Sequence, residues 1–506
     1  MQGRSNPNVQ LLDAGALCRH LVSEGSVHAF LADRRRDLFA DELFADLFPS
    51  GRGRPSVPAD VMASAMVLQA LEGLSDREAA DALRRDIGWK VACGLPLDHE
   101  GIHFTVFTYW RKRLANSERP HRIREAVAKV VDATGVLKGR RRRALDSTLL
   151  DDAVATQDTV TQLISAIRRV RRVVPAASTV ELCAHDYEQA GKPVIAWDDP
   201  VAKEALVTGL VNDALALLSV LKDAELGDEQ SDALGLLALV AGQDVEPGEG
   251  EATWRIAQQV TPDRVISTVD PQARHMHKSR SEYRDGYKAH VAVEPETGLI
   301  TAVALTPANA ADGPMGVELL TDEDDNLQIL ADSAYGSGQT RAALARPSRS
   351  LAIKPIPLRA AVPGGFTRDD FIVDHDARTA TCPAGHTVTI TPKGRAVFGI
   401  RCGPCPLRAR CTKAKNGRTL RIGPHDRQLV AARRAWREGD FKDDYRRWRP
   451  MVERSIAWVV RGSNRRVRYR GVEPNHAWLE LRVAALNLRR LLTLGLTRDG
   501  PEWMLA

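Results

Sequence analysis

A chain of 506 residues exceeds what one ordinary hydrophobic core organises, so about two to four domains are expected. Hydrophobic content of 43% and charged content of 27% exclude wholesale disorder, and seven cysteines are too few for a secreted disulfide scaffold. Net charge is only +6, yet arginine gathers at 140–143 and again as Arg461, Arg465, Arg466, Arg468 and Arg470, patches that attract a polyanion such as DNA or else stand solvated.

Residues 1–22 mix charged with apolar side chains and hold no signal-peptide core, and no later segment reads as long and apolar enough to span a bilayer, so a cytoplasmic protein without a membrane partner is expected. The stretch 31–116 reads as helical, within an N-terminal domain over 1–125. Pro58 suits a first helical turn, and Val61, Ala65 and Leu68 then recur at helical spacing. Ser75 and Glu78 have the spacing of a capping box, in which each side chain satisfies a backbone amide at a helix start, and a helix over 78–85 follows. Another helix, 105–114, carries Tyr109, Trp110, Arg111, Lys112 and Arg113; the domain is therefore either a DNA-binding unit or a packing bundle.

Residues 144–150 are apolar and β-branched, a strand bearing one carboxylate, Asp146. Val160, Leu163, Ile167, Val170 and Val174 change the period to that of an amphipathic helix, and more helix is predicted at 201–221 and 233–240. The acidic, glycine-containing stretch 243–251 reads as a linker, which makes 151–260 a helical insertion. Strands return after Val265. Residues 287–293 alternate, with Tyr287, Ala289, Val291 and Val293 on one face; Lys288 and His290 on the other are expected in solvent or against phosphate. A hairpin partner at 298–305, a helix at 313–320, a strand at 327–331 ending at Asp332, a helix at 340–345 and a strand at 350–356 complete an α/β domain with a mixed central sheet. Residues 441–458 read largely as one helix, with Glu453 on it.

Two aspartates delivered to one sheet edge by neighbouring strands converge within reach of a hard cation, and ligands collect at such edges. Phosphodiester chemistry needs such a set, because two divalent ions activate the attacking oxygen and stabilise the leaving oxygen of an in-line displacement. Physical reasoning alone does not select three carboxylates from 65 acidic residues.

Three ordered motifs do. Asp146, Ser147 and Thr148, then Ala331 to Gly336 around Asp332, then Tyr445 to Arg454 around Glu453 resemble the three catalytic motifs of the DDE transposases of bacterial insertion sequences. The group resembled is the insertion-sequence-five-like one with a Tyr, Arg, Glu, Lys signature, and the stretches 53–62 and 74–78 resemble its helical N-terminal domain. Family spacing puts Arg at position 448 and Lys at 460; this chain has Trp448 and Val460, with Arg449 and Arg461 one step further on. The resemblance implies an RNase H-like catalytic core over 140–490 with Asp146, Asp332 and Glu453 holding Mg²⁺ or Mn²⁺, and with Arg449 and Tyr445 positioning phosphate. It implies DNA-end cleavage and strand transfer on double-stranded DNA, element ends and target alike, by a homodimer on paired ends, in the cytoplasm at the nucleoid. An RNase H-like nuclease without strand transfer, and an inactive domesticated DNA-binding protein, are the alternatives.

The long gaps between the acids accommodate the helical insertion and a cysteine-rich module over 365–425, with 491–506 as a C-terminal tail. Cys382, Cys402, Cys405 and Cys411, with His386 nearby, suit a tetrahedral Zn²⁺ or are simply reduced thiols in a β-rich insertion. Cys18, Cys93 and Cys183 stand isolated. Trp448 and Trp458 flank the third motif and either pack or stack on a base.

Overall fold

Helices open the chain, as the capping signals and apolar repeat require. In this computed structural model, which describes all residues except 7–10, 190, 259, 260, 262, 278–282 and 506, they are α1 (Ala14–Cys18), α2 (Val27–Leu38), α3 (Ala59–Glu72), α4 (Asp76–Arg85), α5 (Ile87–Cys93), α6 (Thr105–Ala115) and α7 (Arg122–Ala133). The capping box forms: the Ser75 amide donates to Glu78 at 2.7 Å, and the Glu78 amide donates to the Ser75 hydroxyl. Helix α3 is buried on nearly every side rather than along one stripe, which makes it the centre of the N-terminal bundle.

Strand β1 (Arg142–Asp151) follows, and the chain then leaves the sheet. Helices α8 (Thr159–Val173), α9 (Pro200–Leu221) and α10 (Asp228–Gln243) build a unit with its own core around Leu163, Ile167, Leu210, Leu217 and Leu237. Where a linker was expected, strands β2 (Val245–Pro247) and β3 (Trp254–Ile256) form a hairpin fastened to α9 by hydrogen bonds between Trp254 and both Thr208 and Asn212. Helix α9 corrects the expectation that no segment is long and apolar enough to cross a bilayer, since its length and composition meet that test. It is nonetheless packed between α8 and α10 and carries a buried carboxylate, Asp213, which accepts hydrogen bonds from the Tyr187 hydroxyl and the Cys183 and Ala184 amides.

The sheet resumes with β4 (Arg274–His277), β5 (Tyr283–Glu294), β6 (Leu299–Pro307), α11 (Asp312–Glu318), β7 (Gln328–Ala331), α12 (Gly338–Leu344) and β8 (Ser350–Ile353). The result is a six-stranded mixed sheet in the order β4-β5-β1-β7-β8, with β6 on β5; β1 runs antiparallel to β5 and parallel to β7. The expected α/β architecture with a mixed central sheet is therefore present. One face packs on Val452, Val459, Leu479 and Val483, and the other on Leu319, Leu320, Tyr335 and Leu344. Burial of both faces is why β5 carries almost no exposed residue.

Next come β9 (Ile372–Asp374), β10 (Thr379–Thr381), β11 (Thr387–Thr389), β12 (Arg395–Val397), α13 (Arg408–Cys411) and β13 (Thr419–Arg421). They form a three-stranded sheet and a hairpin around a small core of Phe371, Ala380, Ile390, Phe398 and Leu420. Then follow α14 (Asp426–Glu438), α15 (Lys442–Trp448), α16 (Pro450–Val459) and α17 (Val472–Thr493). The single helix expected over 441–458 is two, because Pro450 has no amide proton and its ring opposes the preceding turn. Arg449 stands at the break.

Helix α17 serves two cores at once, with Ala484, Ala485, Leu488 and Leu491 in the N-terminal cluster and Leu479, Val483 and Leu486 in that of the sheet. The end of the chain is not a free tail. Strands β14 (Leu496–Asp499) and β15 (Glu502–Leu505) form a hairpin on the N-terminal bundle, with Trp503 5.6 Å from Phe30 and Arg498 paired with Asp37.

Candidate catalytic carboxylate site

Asp146 lies in the middle of β1 rather than at its end, opposite Val291 of β5. On the other side, β7 pairs only with 142–144, where Ala144 faces Leu330. Strand β7 stops at Ala331, so Asp332 comes level with Asp146 on parallel neighbours, at the point where β1 runs on paired with β5 only. Asp332 caps a short turn over Ser333–Tyr335, accepting from the Ala334 amide at 2.8 Å; Asp146 accepts from the Ser147 amide at 2.8 Å. Glu453 arrives from the first turn of α16, where the helix dipole favours negative charge.

Arg449 joins them. Its Nη2 is 2.8 Å from Asp146 Oδ2 and its Nη1 is 3.7 Å from Glu453 Oε1. The residue is 4% exposed, and neither Nε nor Nη1 has a hydrogen-bond partner among the described residues. Burial pushes the Asp146 carboxyl above its usual range; Arg449 opposes that shift and Asp332 adds to it. Tyr445 is also raised by burial, with Arg449, Asp332, Glu453 and Asp146 all in electrostatic reach of its phenol. The five residues singled out by motif thus meet at one place. As they stand, Asp146 is turned to Arg449 and the Glu453 side chain is 65% exposed; among the described residues, no three His, Cys, Asp or Glu side chains are close enough together to hold a metal ion. The donor chemistry, three carboxylates, is that of a hard divalent cation.

A second tier behind Asp146 escaped sequence reasoning. The Ser147 hydroxyl donates to Asp312 Oδ1 at 2.6 Å, and the same oxygen lies 3.5 Å from Lys288 Nζ and 3.6 Å from His290 Nδ1. Lys288 and His290 are buried, not solvated as the alternation predicted, because α11 covers this face of β5. Burial pushes His290 down to about 4, against the pull of Asp312 and with help from Lys288. Tyr335 is also buried, its hydroxyl has no hydrogen-bond partner among the described residues, and burial followed by the charges of Asp312, Asp146 and Asp332 keeps it protonated. Nothing periodic marks Asp312 in the sequence; only its neighbours in space do.

The arginine runs divide. Arg140 and Arg142 pair with Glu296, and Arg143 with Glu323, so most of the first run is internal ion pairing. From the second, Arg465 donates to the Leu149 carbonyl and Arg468 to that of Gly73, whereas Arg461, Arg466 and Arg470 are exposed, as are Arg446, Arg447 and Arg454 beside the site. On α6, Arg111 pairs with Asp76 and Arg113 donates to the Leu47 carbonyl, leaving Tyr109 exposed. Trp448 sits beneath Arg142 and Arg447, and both Trp448 and Trp458 pack against the core of the sheet.

Cys382, Cys402, Cys405 and Cys411 all line one cavity of about 20 Å³ together with His386, with Cys402 and Cys411 buried. That volume admits roughly one water-sized particle. Cys93 is buried and Cys183 exposed, each away from this group.

Two stretches match family models. Residues 25–113, which hold α2 to α5 and most of α6, match the one described as Transposase domain (DUF772), and 381–492, from the cysteine cavity through Glu453 to α17, match the one described as Transposase DDE domain. No curated protein and no solved structure matches the chain. Asp146 and Asp332 lie outside both matched stretches, so their place in the site rests on strand register and on Arg449.

Proposed function

The chain belongs to the bacterial insertion-sequence DDE transposases, and from that footing we propose that it cleaves DNA at the ends of its element and joins the exposed 3′-hydroxyls to target DNA. The observation that carries this reading is the meeting of Asp146, Asp332 and Glu453, from three distant segments, around Arg449. The mixed sheet with one acid in β1 and another just past β7 supports an RNase H-like core, and the order Tyr445, Arg449, Glu453 supports the group with the Tyr, Arg, Glu, Lys signature.

Asp146, Asp332 and Glu453 would hold Mg²⁺ or Mn²⁺. When bound, such ions activate the attacking oxygen and stabilise the leaving oxygen of phosphodiester displacement. Arg449 supplies a planar fork suited to a phosphate, and Tyr445 closes the site beside it. Exposed Arg446, Arg447, Arg454, Arg461, Arg466 and Arg470 track the duplex backbone, fixing register without reading sequence. Asp312, through Ser147, holds the β1 backbone on which Asp146 is mounted. Assembly is as a homodimer on paired ends, at the nucleoid. The four thiols line one small cavity without being gathered closely enough for an ion as they stand, and it is their soft donor chemistry that suits a structural Zn²⁺.

Cleavage and strand transfer on end-containing duplex with Mg²⁺ test the proposal. Asp332→Ala is expected to lower both by at least about a hundredfold. Full activity in that variant would remove the triad; cutting without joining would leave a nuclease, and end binding without either a DNA-binding protein.

A further inference from the structure

Among the described buried arginines, Arg341 leaves one guanidinium nitrogen without a partner and Arg449 leaves two. Arg482, 2% exposed, spends its guanidinium on four backbone carbonyls, those of Ala70, Leu71, Trp458 and Val459. Arg449 is as deeply buried yet makes one close bond, to Asp146, and one looser approach, to Glu453, while Nε and Nη1 find no hydrogen-bond acceptor among the described residues. A guanidinium placed to hold a core together does not leave two donors unused, since each unmet buried donor costs free energy. One that waits for an anion with several oxygens does, because its fork matches a phosphate. Its charge meanwhile sits between two carboxylates of the triad and within reach of the third.

We propose that in the DNA-free protein Arg449 is an internal counter-cation of the triad that competes with divalent ions, and that a DNA phosphate draws it away. The proposal rests on the reading of Asp146, Asp332 and Glu453 as the metal-holding set. Asp146 is engaged by Arg449 and Glu453 stands largely exposed, and among the described residues these acids are not gathered closely enough for an ion. Phosphate and metal are then linked: whatever pulls Arg449 off Asp146 frees a ligand, and each partner raises the affinity for the other by the same factor. The outcome is a site that loads its ions after DNA has arrived, which guards against hydrolysis of stray substrates.

The test is Mn²⁺ binding to the full chain without DNA, followed by the paramagnetic resonance of free Mn²⁺. Arg449→Gln, which keeps hydrogen bonding and removes the charge, is expected to bind Mn²⁺ about tenfold more tightly than wild type. Arg449→Met, apolar and close in length, repeats the measurement should the amide variant not fold. Arg454→Gln removes an exposed cation one residue from Glu453 and is expected to change affinity by less than about threefold. A short duplex of random sequence should tighten Mn²⁺ binding to wild type more than to Arg449→Gln. Affinity in the Arg449 variants no higher than in wild type, or an equal gain in Arg454→Gln, would overturn the proposal. Failure of the underlying triad reads differently: Asp332→Ala would then keep both Mn²⁺ binding and cleavage.

Discussion

At the scale of single residues, the site is governed by which charges are allowed to persist out of water. His290 is fully buried between Thr306 and Asp312, with Lys288 on the same face, and its imidazole is pushed down to about 4 from an ordinary 6.5. Between these two values the unfolded chain binds a proton that the folded chain refuses, so stability is full above the unfolded value and is lost as the pH falls towards the folded one. Urea unfolding should therefore show wild type losing about 1–2 kcal/mol more than His290→Gln on going from pH 7 to pH 5. Equal losses in the two proteins would mean that the imidazole is not held neutral by burial. The same environment explains why alternation in β5 misleads: a polar residue at an outward position predicts solvent only if nothing covers that face. Here Asp312 on α11 covers it and supplies the counter-charge.

At the scale of elements, short-range signals served well. The Ser75 capping box, the start of the helix near Thr105 and the strands on either side of Asp332 all follow from interactions within a few residues. Proline also acts locally, and Pro450 could have been read as a break; the run of helix formers around it hid the point at which Arg449 is mounted. The cysteine unit is where an element-scale argument yields a measurement. Its core consists of a few apolar residues under two small sheets, too little to fix such a fold strongly, and a bound ion would add folding free energy directly. Metal analysis of the purified chain should find about one Zn²⁺ per chain, reduced in Cys405→Ser. No zinc above background would remove the metal and leave four reduced thiols around a small cavity.

At the scale of the whole molecule, α17 and Arg482 tie the N-terminal bundle to the six-stranded sheet and its helices. Arg482 gathers the carbonyl ends of α3 and α16, one helix from each, where positive charge is favoured and where the last carbonyls lack helical partners. Arg482→Met should cost at least about 3 kcal/mol in chemical denaturation and loosen both regions together, because each loses acceptors' partners in the same step. Hydrogen exchange would register this as coupled loss of protection in α3 and α16; loss in only one of them would mean that the two cores are joined elsewhere.

The sequence by itself determined much of the local conformation and singled out the three candidate acids, since capping, periodicity and motif order are written in neighbouring residues. It also marked the helical insertion, because an apolar period shifts there from two to three and four. Only the tertiary structure decided which charges meet. Arg449 reaches Asp146 across about three hundred positions of chain, Asp312 reaches Ser147 from another segment, and the Arg140 to Arg143 run is taken up by Glu296 and Glu323. Such pairings depend on which faces come together when layers pack, and the free energy that fixes them, desolvation against ion pairing, is set by burial that no local pattern encodes.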